Sequence, residues 1–591
     1  MENATTDEAI AAAAEAEREP ARKSFLTSAV ALERALYYAV GAALIGGVFW
    51  WLQYSTDAIC CGDFDGYYHI GWSQQLWQGL RAHHFPPQFT WLPLTTLNAR
   101  DYVDHHLLFH VLQIPFTFFS DVRTGAKISA WLFGSLAVFS CYWLVLRYRL
   151  KYPLMWLVAL VGCSAPFLFR MNMTKAMSVS IVLLVAGIYL LFQRKYLWLL
   201  PLAFLFTLTY DMFVLLGLAA FVWTLVIAWS ERRFEWRPLL WVAVGILLGT
   251  VINPYFPHNI RLLYEHVAMK VAVKEAGRPA VGNEWYPYES WDFVNNCAVA
   301  FVAMIAGYIA FNWHDRKRAA HSFFFLIFAT ILVIANARWR RYAEYWPPFA
   351  VLFAAFTLQT LFERARSVYG GLPDDMRDEL EPFLDREERA ASSRRASGGW
   401  SETNKTIAAA VVTALLCIPM LVAVVAEARE IGDTARHDEY TNGINWIRTH
   451  VPAGEVVFNT DWDDFPKLFY YDPTHAYVSG LDPTYLYDRD KTLSKLYTDI
   501  TLGREKDPAP LIRDRFGARY VFTDNEDVHN DFYDAAMDSG WFEEVYTDAD
   551  CTVLHIRDEK GAPPAVEDDN APDDTNDADE PEDEGDGGNA T

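Results

Sequence analysis

The sequence has few of the motifs that mark soluble enzymes. Its seven cysteines show no spacing that is typical of a metal site. It contains no Walker phosphate-binding loop, no glycine-rich dinucleotide turn after a strand and no Gly-x-Ser-x-Gly nucleophile turn. Basic residues are also scarce, with 50 Lys and Arg against 74 Asp and Glu, which argues against nucleic acid as a partner. These absences disfavour ATP-driven transport and hydrolase chemistry.

Long apolar runs dominate what is present. Hydrophobic residues make up 52% of the 591 residues and charged residues 21%, so part of the chain is predicted to span a membrane and part to face water. A membrane-spanning helix needs about 20 apolar residues. Eleven uncharged runs come close to or exceed that length: 35–55, 128–146, 152–169, 176–193, 196–210, 212–230, 238–260, 293–314, 319–337, 345–362 and 406–426.

Basic residues in short loops predict how the chain crosses the membrane, because Lys and Arg favour cytoplasmic loops. They fill alternate loops at 147–151, 194–195, 231–237 and 315–318. The polar segment 1–34 shows no cleavable signal and is predicted to be cytoplasmic, as is the loop 363–405. The long loop 56–127 is then external. Its apolar run 107–119 is too short for a span and predicts a helix at the membrane surface.

A change of pattern after the last span predicts a second domain. Short β-branched runs alternate with helical patterns across residues 428–557, which indicates an external α/β domain with a partly parallel sheet. The predicted helices are 442–450 and 492–500, and the predicted strands are 455–459, 476–479, 518–523 and 552–556. The region 35–427 is predicted to be the membrane domain. The acidic tail 558–591 is predicted to be disordered.

Two polar clusters lie at the ends of the long external loop. The first is the segment 62–69, which contains Asp63, Asp65 and His69, and the second is Asp104, His105 and His106. Carboxylates with an imidazole suit a divalent cation such as Mg²⁺ or Mn²⁺. The alternative is an interfacial loop whose charges only face water. The pattern also permits a disulfide between Cys551 and either Cys60 or Cys61.

Two later external segments carry further candidates. Glu284 lies in the loop 261–292, where a carboxylate could approach the first cluster. Arg338, Arg340 and Arg341 lie on the side of the membrane that the charge rule disfavours for basic residues. Arginine binds phosphate through two parallel hydrogen bonds, so these three residues predict a phosphate or pyrophosphate ligand at the membrane surface. Anionic lipid headgroups are the alternative ligand.

These segments together resemble the GT-C membrane glycosyltransferases, and among them the catalytic subunits of oligosaccharyltransferases. The segment 63–69 is similar to that group's first acidic motif, with its Asp at Asp65. The segment 283–287 is similar to its Glu-containing loop motif, with its Glu at Glu284. Arg340-Arg341-Tyr342 resembles the Arg-Arg-Phe that contacts the lipid-linked phosphate.

Two departures from that pattern concern the metal and the acceptor. The loop 170–175 lacks the carboxylate of the group's second acidic motif, so either Asp104 or a histidine at 105–106 replaces it as a ligand or the metal site is altered. The acceptor-reading Trp-Trp-Asp-Tyr-Gly has only a loose counterpart around Trp462 and Asp463. The segment 104–108 also resembles the His-Pro-Pro-Leu of protein O-mannosyl and lipid A aminosugar transferases, without its prolines.

The resemblance implies transfer of a sugar from a polyprenyl-phosphate or polyprenyl-pyrophosphate donor to a protein or glycolipid acceptor. Asp65, Asp63 and Glu284 are the predicted catalytic carboxylates. The predicted Mg²⁺ or Mn²⁺ ligands are Asp65, Asp104, His105 and Glu284. The implied location is a bacterial inner or archaeal plasma membrane. Two alternatives are a single-sugar transferase of the O-mannosyl or aminosugar type and a non-catalytic scaffold or transporter.

Overall fold

The computed structural model describes residues 31–59, 61, 64–265, 279, 282–364 and 402–561. Helices predominate from residue 31 to residue 432. They are α1 (Ala31–Gln53), α2 (Asp65–Arg81), α3 (Leu107–Gln113), α4 (Val122–Arg147), α5 (Pro153–Val161), α6 (Ala165–Asn172), α7 (Met177–Phe192), α8 (Leu199–Thr207), α9 (Val214–Glu231), α10 (Arg237–Val251), α11 (His258–Tyr264), α12 (Ser290–Asn296), α13 (Ala298–Ala310), α14 (Ala320–Arg338), α15 (Trp346–Arg364) and α16 (Glu402–Gly432).

Helices occur at every predicted span, although not all are long enough to cross a membrane. Within the described ranges, the five that are long and apolar enough are α1, α4, α14, α16 and the stretch Asp211–Glu231 that contains α9. Two bent pairs, α5 with α6 and α12 with α13, would raise the number to seven. The other predicted spans match the shorter apolar helices α7, α8, α10 and α15. A helical membrane protein is therefore confirmed, whereas the number of eleven spans remains a prediction.

The bend between α5 and α6 brings a basic residue to the candidate site. The two helices meet at 75° and are separated by Gly162, Cys163 and Ser164. The Ser164 hydroxyl accepts a hydrogen bond from the Phe167 amide at 3.3 Å, and Pro166 lies in the first turn of α6. Both features favour a helix start. One apolar run, predicted as a straight span, therefore forms two helices, and Arg170 lies near the end of the second.

A five-stranded sheet forms the core of the C-terminal region. Its strands are β1 (Val456–Asn459), β2 (Ala476–Tyr477), β3 (Ala518–Asp524), β4 (Phe542–Thr547) and β5 (Cys551–Ile556), in the order β2-β1-β3-β5-β4. β2, β1 and β3 are parallel, whereas β5 is antiparallel to β3 and β4. The surrounding helices are α17 (Thr441–His450), α18 (Phe465–Tyr471), α19 (Thr484–Arg489), α20 (Lys491–Thr501), α21 (Pro508–Leu511) and α22 (Asn530–Asp538).

The sheet region is joined to the long loop 64–119 by a shared apolar core. Buried side chains of α2 and the following loop, including Trp72 and Phe89, cluster with Phe465 and Phe469 of α18. The backbone of the loop also extends the sheet edge, because the Tyr477 amide donates to the Trp91 carbonyl at 2.7 Å. Burying large aromatic rings is strongly favourable. The residues of this domain are therefore fixed relative to the start of α2.

Several predictions fall on residues outside the described ranges or are wrong. Asp63, most of the segment 1–34, most of the loop 363–405 and most of the tail 558–591 lie outside those ranges. The domain boundaries stay predictions. Cys61 is in a disulfide bond, whereas Cys551 is a free thiol. The predicted pairing with Cys551 is therefore wrong, because Cys551 begins β5 and is buried within the sheet region.

Candidate active site

A cavity of about 330 Å³ lies where the ends of several helices meet the C-terminal domain. Segments that are far apart in the sequence contribute to its wall: the start of α2, the loop before α3, the segment 170–175, the turn before α9, two 3₁₀ turns and the loop before α19. We call it the first cavity. The charged and imidazole side chains on its wall are Asp65, His69, His105, His106, Arg170, Lys175, Asp211, Glu284, Arg341 and Asp482.

Ion pairs link the carboxylates of this wall to basic groups. Asp65 opens α2, and its Oδ2 lies 2.7 Å from Lys175 Nζ. Glu284 lies in the 3₁₀ turn Asn283–Trp285, with its Oε2 2.6 Å from Arg170 Nη2 and its Oε1 3.0 Å from Arg341 Nη1. Arg170 also contacts Glu344 Oε1 at 2.5 Å. Asp65 and Glu284, two of the three carboxylates predicted to be catalytic, are thus held by three cations.

The charge of Glu284 is fixed by its neighbours. Burial opposes its ionisation, but Arg341 and Arg170 outweigh burial and hold the pKa of Glu284 well below its ordinary value. Glu284 is therefore ionised at neutral pH. A second bond secures its turn, because the Arg340 amide donates to the Tyr286 carbonyl at 3.1 Å.

A buried row of hydrogen-bonded side chains leads from Asp104 to the first cavity. Asp104 accepts from Trp72 Nε1 at 2.9 Å, and its Oδ2 lies 2.8 Å from His110 Nδ1. His110 Nε2 is in turn 2.7 Å from His69 Nδ1. Burial lowers the pKa of His69 and of His106, so both rings are neutral near pH 7. A neutral ring at the cavity wall offers a nitrogen that can accept a hydrogen bond.

A second cavity of about 610 Å³ also has Asp65 in its wall. Trp462 and Asp463, the predicted acceptor residues, line it together with Arg340 and Glu427. The residues common to the walls of both cavities are Asp65, Arg170, Lys175, Glu284, Trp285, Leu481 and Asp482. Asp65 therefore faces two spaces, one with Arg341 and the histidines and the other with the predicted acceptor residues.

The three arginines predicted to bind phosphate occupy different places. Arg341 lines the first cavity and stacks over the rings of Tyr210 and Trp285, with 5.4 and 5.1 Å from its guanidinium carbon to the ring centres. Arg340 lines the second cavity and donates from Nε to the Pro287 carbonyl at 3.2 Å. Arg338 is exposed, outside both cavities. The structure thus brings one of the three to the first cavity.

The predicted metal ligands Asp65, Asp104, His105 and Glu284 do not form a metal-binding group. Among the described residues, the groups of three whose donor atoms lie within 4.8 Å of one another are His69, His106 and His110, and Asp461, Asp524 and His529. The Asp104 carboxylate is bonded to Trp72 and His110 below the cavity. Basic groups already neutralise Asp65 and Glu284, so a divalent cation between them would add charge beside three cations. These four residues do not fit the cation.

Sequence reasoning missed several residues of the first cavity. Arg170 and Lys175 lie in the segment 170–175, where the motif comparison indicates only that a carboxylate is missing. Tyr210 ends one apolar run, and Asp211 separates that run from the next. This single acidic residue between two apolar runs was the signal in the sequence that could have identified them. Asp482 follows β2 in a loop, and no motif in the sequence marks it.

Comparison with known proteins identifies the fold. No protein-family model and no curated protein matches the sequence. The oligosaccharyltransferase of Archaeoglobus fulgidus in its apo form matches with a TM-score of 0.57 at 11% identity, over 89% of this chain and 75% of that chain. The same enzyme tethered to an acceptor peptide with an NVT sequon gives 0.50 at 11% identity, over 87% and 74%.

A second protein matches over almost its whole length. ArnT from Cupriavidus metallidurans bound to undecaprenyl phosphate matches with a TM-score of 0.50 at 13% identity, over 89% of this chain and 99% of that chain. Identities this low establish the fold alone. The resemblance predicted from the motifs is confirmed at that level, and the chain has the fold of the GT-C membrane glycosyltransferases.

Proposed function

We propose that this protein is a membrane glycosyltransferase that moves a sugar or oligosaccharide from a polyprenyl-phosphate or polyprenyl-pyrophosphate donor to an acceptor on the external side of the membrane. The observation that carries the proposal is the position of Asp65 between two cavities. Transfer requires two substrates to meet at one point, and Asp65 lies on the wall that the two cavities share. A protein that only scaffolds a complex does not need this arrangement.

The first cavity suits the phosphate of the donor. Arg341 Nε is buried and has no hydrogen-bond partner among the described residues, although its other nitrogens contact Glu284 and Tyr210. An unpaired buried donor is costly, and a phosphate oxygen would satisfy it. Arg170 and Lys175 add positive charge to the same wall. The undecaprenyl phosphate in ArnT, a protein of the same fold, supports a lipid-linked donor.

The second cavity suits the acceptor. Trp462 offers an aromatic face and Asp463 a polar group in a wall that Arg341 does not line. The peptide tethered to the oligosaccharyltransferase of the same fold supports a peptide acceptor. A glycolipid acceptor is the alternative, and it corresponds to the single-sugar transferase interpretation.

In the proposed step, the acceptor heteroatom forms a bond to the anomeric carbon while the bond from that carbon to the donor phosphate oxygen breaks. Asp65 accepts the proton of the acceptor, and the phosphate leaves with the electron pair. Arg341, Arg170 and Lys175 stabilise the negative charge that develops on the phosphate. Glu284 holds Arg170 and Arg341 in position. The Mg²⁺ or Mn²⁺ predicted from the sequence stays a prediction, and no step here passes through it.

Complementation of a deletion strain tests the proposal. Glycoproteins, glycolipids and surface glycans are compared by intact mass spectrometry after complementation with wild type, Asp65→Asn or Glu289→Gln. Glu289 is an exposed carboxylate outside both cavities and serves as the matched control. We expect wild type and Glu289→Gln to restore a sugar that Asp65→Asn does not restore. The mass of the restored group distinguishes a single sugar from an oligosaccharide. Equal restoration by Asp65→Asn would contradict the proposed role and favour the scaffold or transporter alternative.

A further inference from the structure

A second group of acidic residues lies in the C-terminal domain, at the carboxyl ends of β1 and β3. These strands are parallel neighbours, so the residues that follow them emerge at the same edge of the sheet. Asp461 comes two residues after β1, and Asp524 is the last residue of β3. His529 follows in the next turn. The donor atoms of these three residues lie within 4.8 Å of one another.

Asp464, three residues after Asp461, adds a buried carboxylate near this group. Its residue is 3% exposed, and its Oδ2 has no hydrogen-bond partner among the described residues. The Asp524 and Asp461 carboxylates are its strongest electrostatic neighbours. The nearby Lys467 does not satisfy it, because Lys467 Nζ instead bonds the Arg436 carbonyl at 3.0 Å and Glu439.

The hydrogen bonds in the group fall on one oxygen of each flanking carboxylate. Asp461 Oδ1 accepts from the Asp463 amide at 2.8 Å. Asp524 Oδ1 accepts from the Glu526 amide at 2.9 Å and lies 2.8 Å from His529 Nδ1. This pattern fixes the orientation of both carboxylates, as outer hydrogen bonds do around metal ligands.

Electrostatic repulsion in the group is large. Asp461 and Asp524 have donor atoms within 4.8 Å of each other, and the buried Asp464 carboxylate lies near both. When these carboxylates are ionised they need a compensating positive charge, and the single histidine supplies at most one.

The geometry points to a divalent cation site in which Asp461, Asp464 and Asp524 provide oxygen ligands and His529 orients Asp524. Carboxylate oxygens are the ligands that Ca²⁺ and Mg²⁺ prefer. The site is separate from the two cavities in its ligands, and it does not depend on the proposed transferase activity.

The position of the site predicts a structural role for the cation. Trp462 and Asp463 lie between two of its ligands, Asp461 and Asp464, and line the second cavity. A cation bound by Asp461 and Asp464 would hold Trp462 and Asp463 in place in the wall of the second cavity. Loss of the cation would loosen the second cavity and leave the ion pairs of the first unchanged.

Cation binding to the full-length protein in detergent tests the inference. Protein stripped with a chelator is titrated with CaCl₂ or MgCl₂, while calorimetry gives the stoichiometry and a thermal scan gives the unfolding midpoint. We expect one equivalent of one cation to bind to wild type and to raise the midpoint by several degrees. Asp464→Asn keeps the shape of the side chain and should lose both effects. Asp538→Asn removes an exposed charge from α22 of the same domain and should keep both.

The variants also separate this site from other metal sites. Asp464→Asn leaves the histidines of the first cavity unchanged, so binding that is lost in this variant belongs to the C-terminal group. If Asp464→Asn does not fold, Asp461→Asn provides the same comparison. The absence of binding to wild type, or equal binding by wild type and the Asp464 or Asp461 variant, would overturn the inference.

Discussion

At the scale of single residues, charge pairing decides which predicted side chains can act in the first cavity. Asp65, His105, Glu284 and Arg341 were selected from short motifs, and the structure brings them to one wall. Asp104 is also close, but its carboxylate is used by Trp72 and His110. The partners of the carboxylates could not be predicted, because Arg170, near the end of α6, and Lys175, just after that helix, are more than 100 residues away from each of Glu284 and Asp65.

Arg341 is expected to be sensitive even to a conservative change. Arg341→Lys keeps the positive charge but removes the buried Nε donor and the planar group that stacks on Tyr210 and Trp285. Loss of one preorganised donor to a developing charge costs about 100-fold or more in rate. We therefore expect Arg341→Lys to lower the transfer rate by at least about that factor. Turnover of a polyprenyl-phosphate sugar in detergent measures it.

Arg338→Lys provides the matched control for this prediction. Arg338 carries the same charge three residues earlier but is exposed and outside both cavities, so its replacement should leave the rate almost unchanged. Similar losses in the two variants would contradict a specific role for Arg341 and favour a general attraction to anionic lipid headgroups.

At the scale of helices and strands, apolar periodicity predicted the elements with a strong pattern and missed those with a mixed one. The helices 442–450 and 492–500 and the strands at 456, 518 and 551 were found within a residue or two. β4 was missed because Glu543 and Glu544 are exposed in a strand that is only partly buried. α18 was missed because its seven residues are mainly aromatic and include a proline, so its apolar residues do not repeat with the period of a helix. The bends beside α6 and α12 were missed because each pair of helices, taken together, has the hydropathy of one span.

The segment after β1 is expected to make stability depend on pH in an unusual direction. The pKa of Asp464 is raised in the folded protein by burial and by Asp524, Asp461 and Asp463, with Lys467 opposing them. Between its ordinary and its raised pKa, the folded state keeps a proton that the unfolded state releases. Stability from this group therefore falls as pH rises.

The comparison of wild type with Asp464→Asn isolates this effect from other titrating groups. In the presence of a chelator, the unfolding midpoint of wild type should fall more between about pH 5 and about pH 7 than that of Asp464→Asn. The range begins above the ordinary pKa of an aspartate. Thermal scans of both proteins at both pH values measure the difference. Equal changes in the two proteins would show that Asp464 is not the group responsible.

At the scale of the whole molecule, the predicted membrane topology assigned all of the site segments to one side. The segments 56–127, 170–175, 211, 261–292 and 338–344 were predicted to be external, and the structure joins parts of each in the two cavities or their walls. Hydropathy and charge thus predict which loops can meet. They do not predict that two separate spaces result, because that depends on how the C-terminal domain packs on the loop 64–119 through side chains such as Trp72 and Phe469.

The wall that contains Asp65 and separates the two cavities has a consequence for reaction order. Neither substrate has to leave before the other enters, so a complex of three components can form and no covalent sugar–enzyme intermediate is required. Initial rates measured over a grid of donor and acceptor concentrations should then give intersecting lines in double-reciprocal plots. Parallel lines would instead indicate that the sugar is first transferred to a residue of the protein, with the released lipid phosphate departing before the acceptor binds.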